Sequence, residues 1–157
     1  MNTPDVNTVS AAEHTVGIML ALARNISIGH RGLNIGEWNR HSLVGTELRN
    51  KTIGIVGLGK IGREVMNRCL SFGMRILGYD PYITENLFSA DEIALTDLDT
   101  LTRESDFITL HVPMLDSTRI LFDLERMQMM KPTARIINVA RGGIINENDL
   151  ATAIKDG

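Results

Sequence analysis

The spacing of apolar positions changes character twice along the chain. Val16, Met19, Leu20 and Ala23 recur at helical spacing, with Ile18, Ala21 and Leu22 filling the opposite side, and predict one helix over about 9–28. Ser10 and Glu13 stand at capping-box spacing at its start. A helix that is apolar nearly all round is buried on more than one face, either in a core or at a subunit or domain contact. Residues 29–50 then lose the period: they are polar, carry Gly29, Gly32, Gly36 and Gly45, and hold the only tryptophan, Trp38. An irregular arm of that length is unusual inside a compact domain. Trp38 either marks a partner surface or folds back on its own domain.

From Lys51 onward, short apolar runs alternate with helical stretches. Thr52–Val56, Arg75–Tyr79, Glu92–Leu95, Phe107–Val112 and Arg135–Val139 read as strands. Helices are predicted over Ile61–Phe72, stopped by Gly73; from Thr96–Asp99 to near Glu104; over Leu124–Met130 behind Asp123, ended by Lys131-Pro132; and from Asn146 to about Lys155. The alternation predicts an α/β fold, a doubly wound parallel sheet with helices on both faces. One domain is expected over 1–157, with a helix and arm in 1–50 and the βαβ core in 51–157.

Composition narrows the function classes. The 157 residues suffice for one core, and with 43% hydrophobic but only 4% aromatic residues it must be built from Ile, Leu, Val and Met. The eight methionines, Met127, Met129 and Met130 among them, read as filling. A net charge of −3 leaves no basic excess for nucleic acid. The single cysteine, Cys69, excludes a disulfide framework or a multi-cysteine zinc site and reads as a small core residue in a reducing, cytoplasmic setting. Met1-Asn2-Thr3-Pro4-Asp5 lacks the basic start of a secretory leader. The apolar stretch Val9–Ala23 contains Glu13 and His14 and is too short for a bilayer span, so no membrane partner is expected.

Gly57-Leu58-Gly59-Lys60-Ile61-Gly62 is a GxGxxG turn that follows a strand and opens a helix. That context gives weak spacing its meaning: Gly57 permits the tight turn, Gly59 the approach of backbone to a pyrophosphate, and Gly62 close helix–strand packing. The helix N-terminus offers amides and a positive dipole end to phosphate. Asp80 follows the last glycine by 18 residues, where a ribose-binding acid belongs. Its charge would repel a 2′-phosphate, which favours NAD over NADP, while FAD and S-adenosylmethionine remain alternative ligands of such a turn. The whole reads as Rossmann-like.

Two further segments close strands, where open α/β sheets bind ligands: His111-Val112-Pro113 and Asn138-Val139-Ala140-Arg141-Gly142-Gly143. On residue type alone, Arg141 serves a substrate carboxylate or a structural salt bridge equally well. With GLGKIG, YDP, HVP followed by LDST, and NVARGGIINENDL in order along nearly the whole chain, the sequence resembles the D-2-hydroxyacid dehydrogenases, and within them the phosphoglycerate-oxidising group most. The resemblance implies that Gly57, Gly59, Lys60, Ile61 and Gly62 cradle the pyrophosphate of NAD, that Asp80 holds the adenosine ribose and that Pro81 lies beside the adenine. It implies that His111, Val112, Pro113 and Thr118 line the cofactor cleft and that Val139 and Ala140 lie near the nicotinamide. Arg141 would be the catalytic residue, binding the carboxylate of a small 2-hydroxy or 2-keto acid and polarising its carbonyl. His111 reads as a pocket residue and not a proton carrier; His14, His30 and His41 read as structural or solvated.

The same resemblance implies a homodimer through residues 9–50. It also implies a C-terminally truncated domain: a substrate-domain segment and the family's catalytic Glu and His would fall outside these 157 residues, leaving the chain inactive by itself. NAD-sensing dimeric corepressors, and dehydrogenases for glycerate or glyoxylate, lactate or formate, share the pattern and are the alternatives.

Overall fold

The computed structural model describes residues 7–83 and 88–156. The first five residues, read above for a leader, lie outside them. Five strands form one parallel sheet: β1 (Thr52–Val56), β2 (Arg75–Tyr79), β3 (Ala94–Leu95), β4 (Phe107–Leu110) and β5 (Arg135–Asn138), in the order β3-β2-β1-β4-β5. Every pairing is parallel, with Ile53 opposite both Ile76 and Phe107, and Phe107 opposite Arg135. Helices α1 (Thr8–Ala23), α2 (Ile26–Asn34), α3 (Lys60–Ser71), α4 (Leu98–Glu104), α5 (Leu124–Gln128) and α6 (Glu147–Asp156), with a short 3-10 turn over His41–Leu43, complete the elements among the described residues.

The period-two rule divides each strand between two cores. Ile53, Ile55, Ile76, Phe107 and Ile137 meet Ala12, Val16 and Met19 of α1 and Val65, Met66 and Cys69 of α3. Val56, Leu77, Ile108 and Leu110 meet Leu98 and Leu101 of α4, Met127 of α5, and the flank of α6 through Leu150 and Ala153. The expected α/β sandwich is therefore present. Burial pushes the Cys69 thiol up to about 12, so it is an inert packing group.

The N-terminal expectations need correction. The single helix over 9–28 is two helices: α1 stops at Ala23, and Asn25 adopts a left-handed conformation (φ 55°) before α2 begins. Asparagine tolerates that conformation, and its carboxamide donates to the Val44 carbonyl at 3.1 Å, which fixes the corner. Gly29 and Gly32, read as part of an irregular arm, lie inside α2. The capping box is also absent. The helix begins ahead of Ser10, whose hydroxyl donates to the Asn7 carbonyl at 3.1 Å, and Glu13 points to Arg68 of α3 at 3.8 Å. Within the chain α1 buries one stripe only, since Val9 and Leu22 remain exposed. Strands β4 and β5 stop two and one residues earlier than expected, where the backbone leaves the sheet for the loops described below. The expected caps at Asp123 and Asn146 are formed, their side chains accepting from the Arg126 and Asp149 amides, and Asp97 caps α4 by accepting from the Thr100 amide.

Asp106 ties the amino ends of the central strands together. Its carboxylate accepts from the Thr52 amide at 2.8 Å and from the Lys131 ammonium at 2.9 Å. Burial opposes its ionisation, but these two donors, with the positive charges of Lys131 and Lys51, outweigh burial and hold its pKa below the ordinary carboxylate value. A depressed folded pKa means that the stabilisation is complete above the unfolded value, about 3.9, and is lost as pH falls through the folded one. Urea midpoints are therefore expected to hold between pH 7 and pH 5 and to drop below about pH 4, with Asp106→Asn already weaker at pH 7 and flatter below pH 4. Identical acid limbs for wild type and Asp106→Asn would contradict this.

Candidate functional site

The sheet order creates one switch point. The chain leaves β1 toward β2 and β3, then crosses back so that β4 lies on the other side of β1. In open α/β sheets ligands bind at such a point, outside the carboxyl ends of the strands. Gly57 lies against this point. It has φ +93°, its amide donates to the Tyr79 carbonyl at 2.8 Å, and a Cβ there would stand 2.7 Å from the His111 carbonyl oxygen. At Gly62, on the first turn of α3, a Cβ would stand 2.1 Å from the Gly57 carbonyl oxygen, so α3 rests directly on the turn that precedes it. Gly59 differs: its Cβ direction meets nothing within 4 Å. The first α-type bond of this helix runs from Arg63 N to Gly59 O at 3.0 Å, leaving the Gly59 and Ile61 amides without intrahelical acceptors. Lys60 and Ile61 form the helix start behind this concave backbone. These features fit a diphosphate: an open backbone face, amides and a helix N-terminus.

Asp80 lies just past β2 and faces the same turn. One carboxylate oxygen accepts from the Leu58 amide at 2.9 Å and the other from the Tyr82 amide at 2.9 Å. Pro81 beside it is exposed. Past β4, His111 donates its amide to the Val56 carbonyl at 2.8 Å, and its Nε2 lies 2.9 Å from the Thr109 hydroxyl. Burial lowers its pKa to about 4, so the imidazole is neutral at pH 7 and poorly matched to proton transfer there. Val112 is half-buried and Pro113 exposed. The Thr118 hydroxyl donates to the Pro113 carbonyl at 2.6 Å and accepts from the Leu115 amide at 2.8 Å, folding the loop over itself.

Past β5, Val139 and Ala140 are half-buried and Arg141 is exposed. Among the described residues Arg141 forms no ion pair; its guanidinium donates to the Ala140 carbonyl at 2.7 Å. The Asn138 carboxamide accepts from the Ala140 amide at 3.0 Å and donates to the Arg141 carbonyl at 2.8 Å, bracing the turn that carries Arg141. The loops after β4 and β5 are joined by Ile120, whose amide donates to the Gly143 carbonyl at 2.8 Å. Apart from Thr118, farther along the loop after β4, the sequence-predicted site residues fall on segments that leave the carboxyl ends of β1, β2, β4 and β5. Sequence reasoning named the segment that begins at Asn138 but missed its bracing role, although an Asx turn has a recognisable composition, and it missed Arg63, discussed below.

A parallel α/β sheet with a glycine turn at its switch point and an acid at the end of the second strand defines a dinucleotide-binding domain. Residues 16–157 match the family described as D-isomer specific 2-hydroxyacid dehydrogenase, NAD binding domain, and the chain belongs to that family. It is 48% identical over 157 residues to the D-3-phosphoglycerate dehydrogenase of Synechocystis sp., covering 99% of this chain and 28% of that protein. The enzyme of the same name from Methanocaldococcus jannaschii is 46% identical over 158 residues, covering 100% of this chain and 30% of that protein. The chain thus spans less than a third of the length of these relatives. The solved NAD-dependent formate dehydrogenase from Staphylococcus aureus in complex with NAD superposes with a TM-score of 0.88 at 39% identity, covering 96% of this chain and 45% of that one. Among the described residues no helix is long and apolar enough to cross a membrane.

Proposed function

We propose that the chain is the cofactor-binding part of a cytoplasmic, NAD-dependent dehydrogenase that moves hydride between C2 of a D-2-hydroxy acid and the nicotinamide. The names of the relatives cited above make 3-phosphoglycerate the first substrate to test. The observation that carries the reading is the switch point itself: Gly57 is packed on the His111 carbonyl, Gly59 is open, and Asp80 is bonded to the same turn. Gly57, Gly59, Lys60, Ile61 and Gly62 would hold the pyrophosphate, Asp80 the adenosine ribose, and Pro81 the edge of the adenine. His111, Val112, Pro113 and Thr118 would line the cleft, with Val139 and Ala140 toward the nicotinamide. NAD, when bound, supplies the two-electron acceptor. Arg141, exposed and without a carboxylate partner among the described residues, would clamp the substrate carboxylate and polarise the carbonyl. Neutral His111 would exclude water and orient the cofactor, and the proton would be handled by groups outside these residues, leaving the chain inactive alone. Residues 9–50 would form a homodimer contact.

Calorimetric titration tests the cofactor assignment. NAD is expected to bind saturably, with affinity reduced about tenfold or more by Asp80→Ala, the scale of lost charge-assisted hydrogen bonds. NADP is expected to bind more weakly than NAD to the wild type. Equal affinity for NAD and NADP, or NAD binding indifferent to Asp80→Ala, would sink the assignment.

A further inference from the structure

Leu58 stands between two glycines, Gly57 and Gly59, so its flanking peptide groups sit where the backbone is least constrained. Both are nevertheless pinned. The Leu58 amide donates to Asp80 at 2.9 Å, and the Leu58 carbonyl accepts from Arg63 Nε at 2.9 Å. The Leu58 side chain is fully buried. Arg63 itself is exposed on the first turn of α3, and its guanidinium lies 5.2 Å from the centre of the Phe88 ring. The ring contact steadies the guanidinium that bonds the turn.

We propose that Arg63 is a positioning residue for the pyrophosphate turn, acting through the Leu58 carbonyl. A trans peptide carries its C=O and the following N–H on opposite sides, and no described peptide bond is cis. Drawing the Leu58 carbonyl toward Arg63 therefore turns the Gly59 N–H the other way. A peptide flip here would replace a donor with a carbonyl oxygen and repel a phosphate. Arg63 blocks that flip from the carbonyl side, while Asp80 fixes the preceding peptide from the amide side. Arg63 thus acts on an anionic diphosphate without touching it.

The proposal rests on the NAD reading of the turn, and one set of titrations separates the two. The 157-residue chain is titrated with NAD, ADP and adenosine as wild type, Arg63→Met, Arg63→Gln and Gly59→Val. Methionine keeps the packing and removes the donor; glutamine places an amide nitrogen where Nε stood. Arg63→Met is expected to weaken NAD and ADP about tenfold, the scale of one charge-assisted hydrogen bond, and to leave adenosine unchanged. Arg63→Gln is expected to recover most of that loss, with thermal midpoints of both variants near wild type. NAD binding unaffected by Arg63→Met, an equal loss for adenosine, or no recovery with Arg63→Gln would each overturn the positioning role while Gly59→Val still abolishes NAD binding. NAD binding unaffected by Gly59→Val would overturn the reading of the turn, and the role of Arg63 with it.

Discussion

Gly62→Val is expected to remove about 4 kcal/mol or more of the chain's stability at 25 °C. A Cβ at this position would lie 2.1 Å from the Gly57 carbonyl oxygen, a backbone atom with no rotamer by which to escape. Relief requires α3 to lift from β1, and α3 contributes Val65, Met66 and Cys69 to the larger core. Clashes and core disruption of this kind cost about 4 kcal/mol or more, against total stabilities of about 5–15 kcal/mol for whole domains. The mildest change, Gly62→Ala, is expected to destabilise as well, although alanine is the better helix former by about 1 kcal/mol. Gly17 supplies the contrast: it lies in α1, and a Cβ there meets nothing within 4 Å. Gly17→Ala is expected to stabilise by about 0.5–1 kcal/mol. Urea unfolding of the two alanine variants gives opposite signs if close packing, and not helix propensity, governs Gly62. Two shifts of the same sign would refute that account.

The contrast also shows why much of this fold was legible in the sequence. The GxGxxG spacing encodes contacts between neighbouring backbone groups, and such contacts leave few residue choices. The strands β1, β2 and β4 are near-continuous apolar runs because both faces are covered, and the caps at Asp123 and Asn146 are local hydrogen bonds. Part of what the sequence hides depends on distant partners. The corner at Asn25 is set by Val44, 19 residues on, and no local pattern reports it. α2 was lost because Gly29 and Gly32 suggested a loop. At the site the couplings were not legible: Asp80 is expected to face a ligand, and in the structure its carboxylate braces Leu58. The link from Arg63 to Leu58 ends on a main-chain carbonyl, which leaves no mark at the acceptor's own position.

The N-terminal arm carries the second large effect. Leu33→Asp and Trp38→Asp together are expected to break the homodimer proposed above into monomers. α2 has nine residues and buries none of them, and a helix of that length is marginal in water without a packing partner. Along and after it Leu33, Ile35, Trp38 and Val44 are 57%, 68%, 68% and 78% exposed. Leu22 and Ile26, before and at its start, are exposed as well. Apolar exposure on this scale within one segment suits a self-complementary contact, in which a two-fold axis uses each side chain twice. Burying one such side chain is worth about 1.5–3 kcal/mol, so two substitutions in each protomer raise the dissociation constant by roughly ten-thousandfold or more. Sedimentation velocity over a concentration series measures this directly. Tyr82→Ser, at an 82% exposed aromatic outside the arm, is expected to leave the assembly unchanged. A wild-type chain that sediments as a monomer at tens of micromolar, or a double variant that stays dimeric, would remove the arm as the contact. Trp38 would then be an isolated exposed side chain.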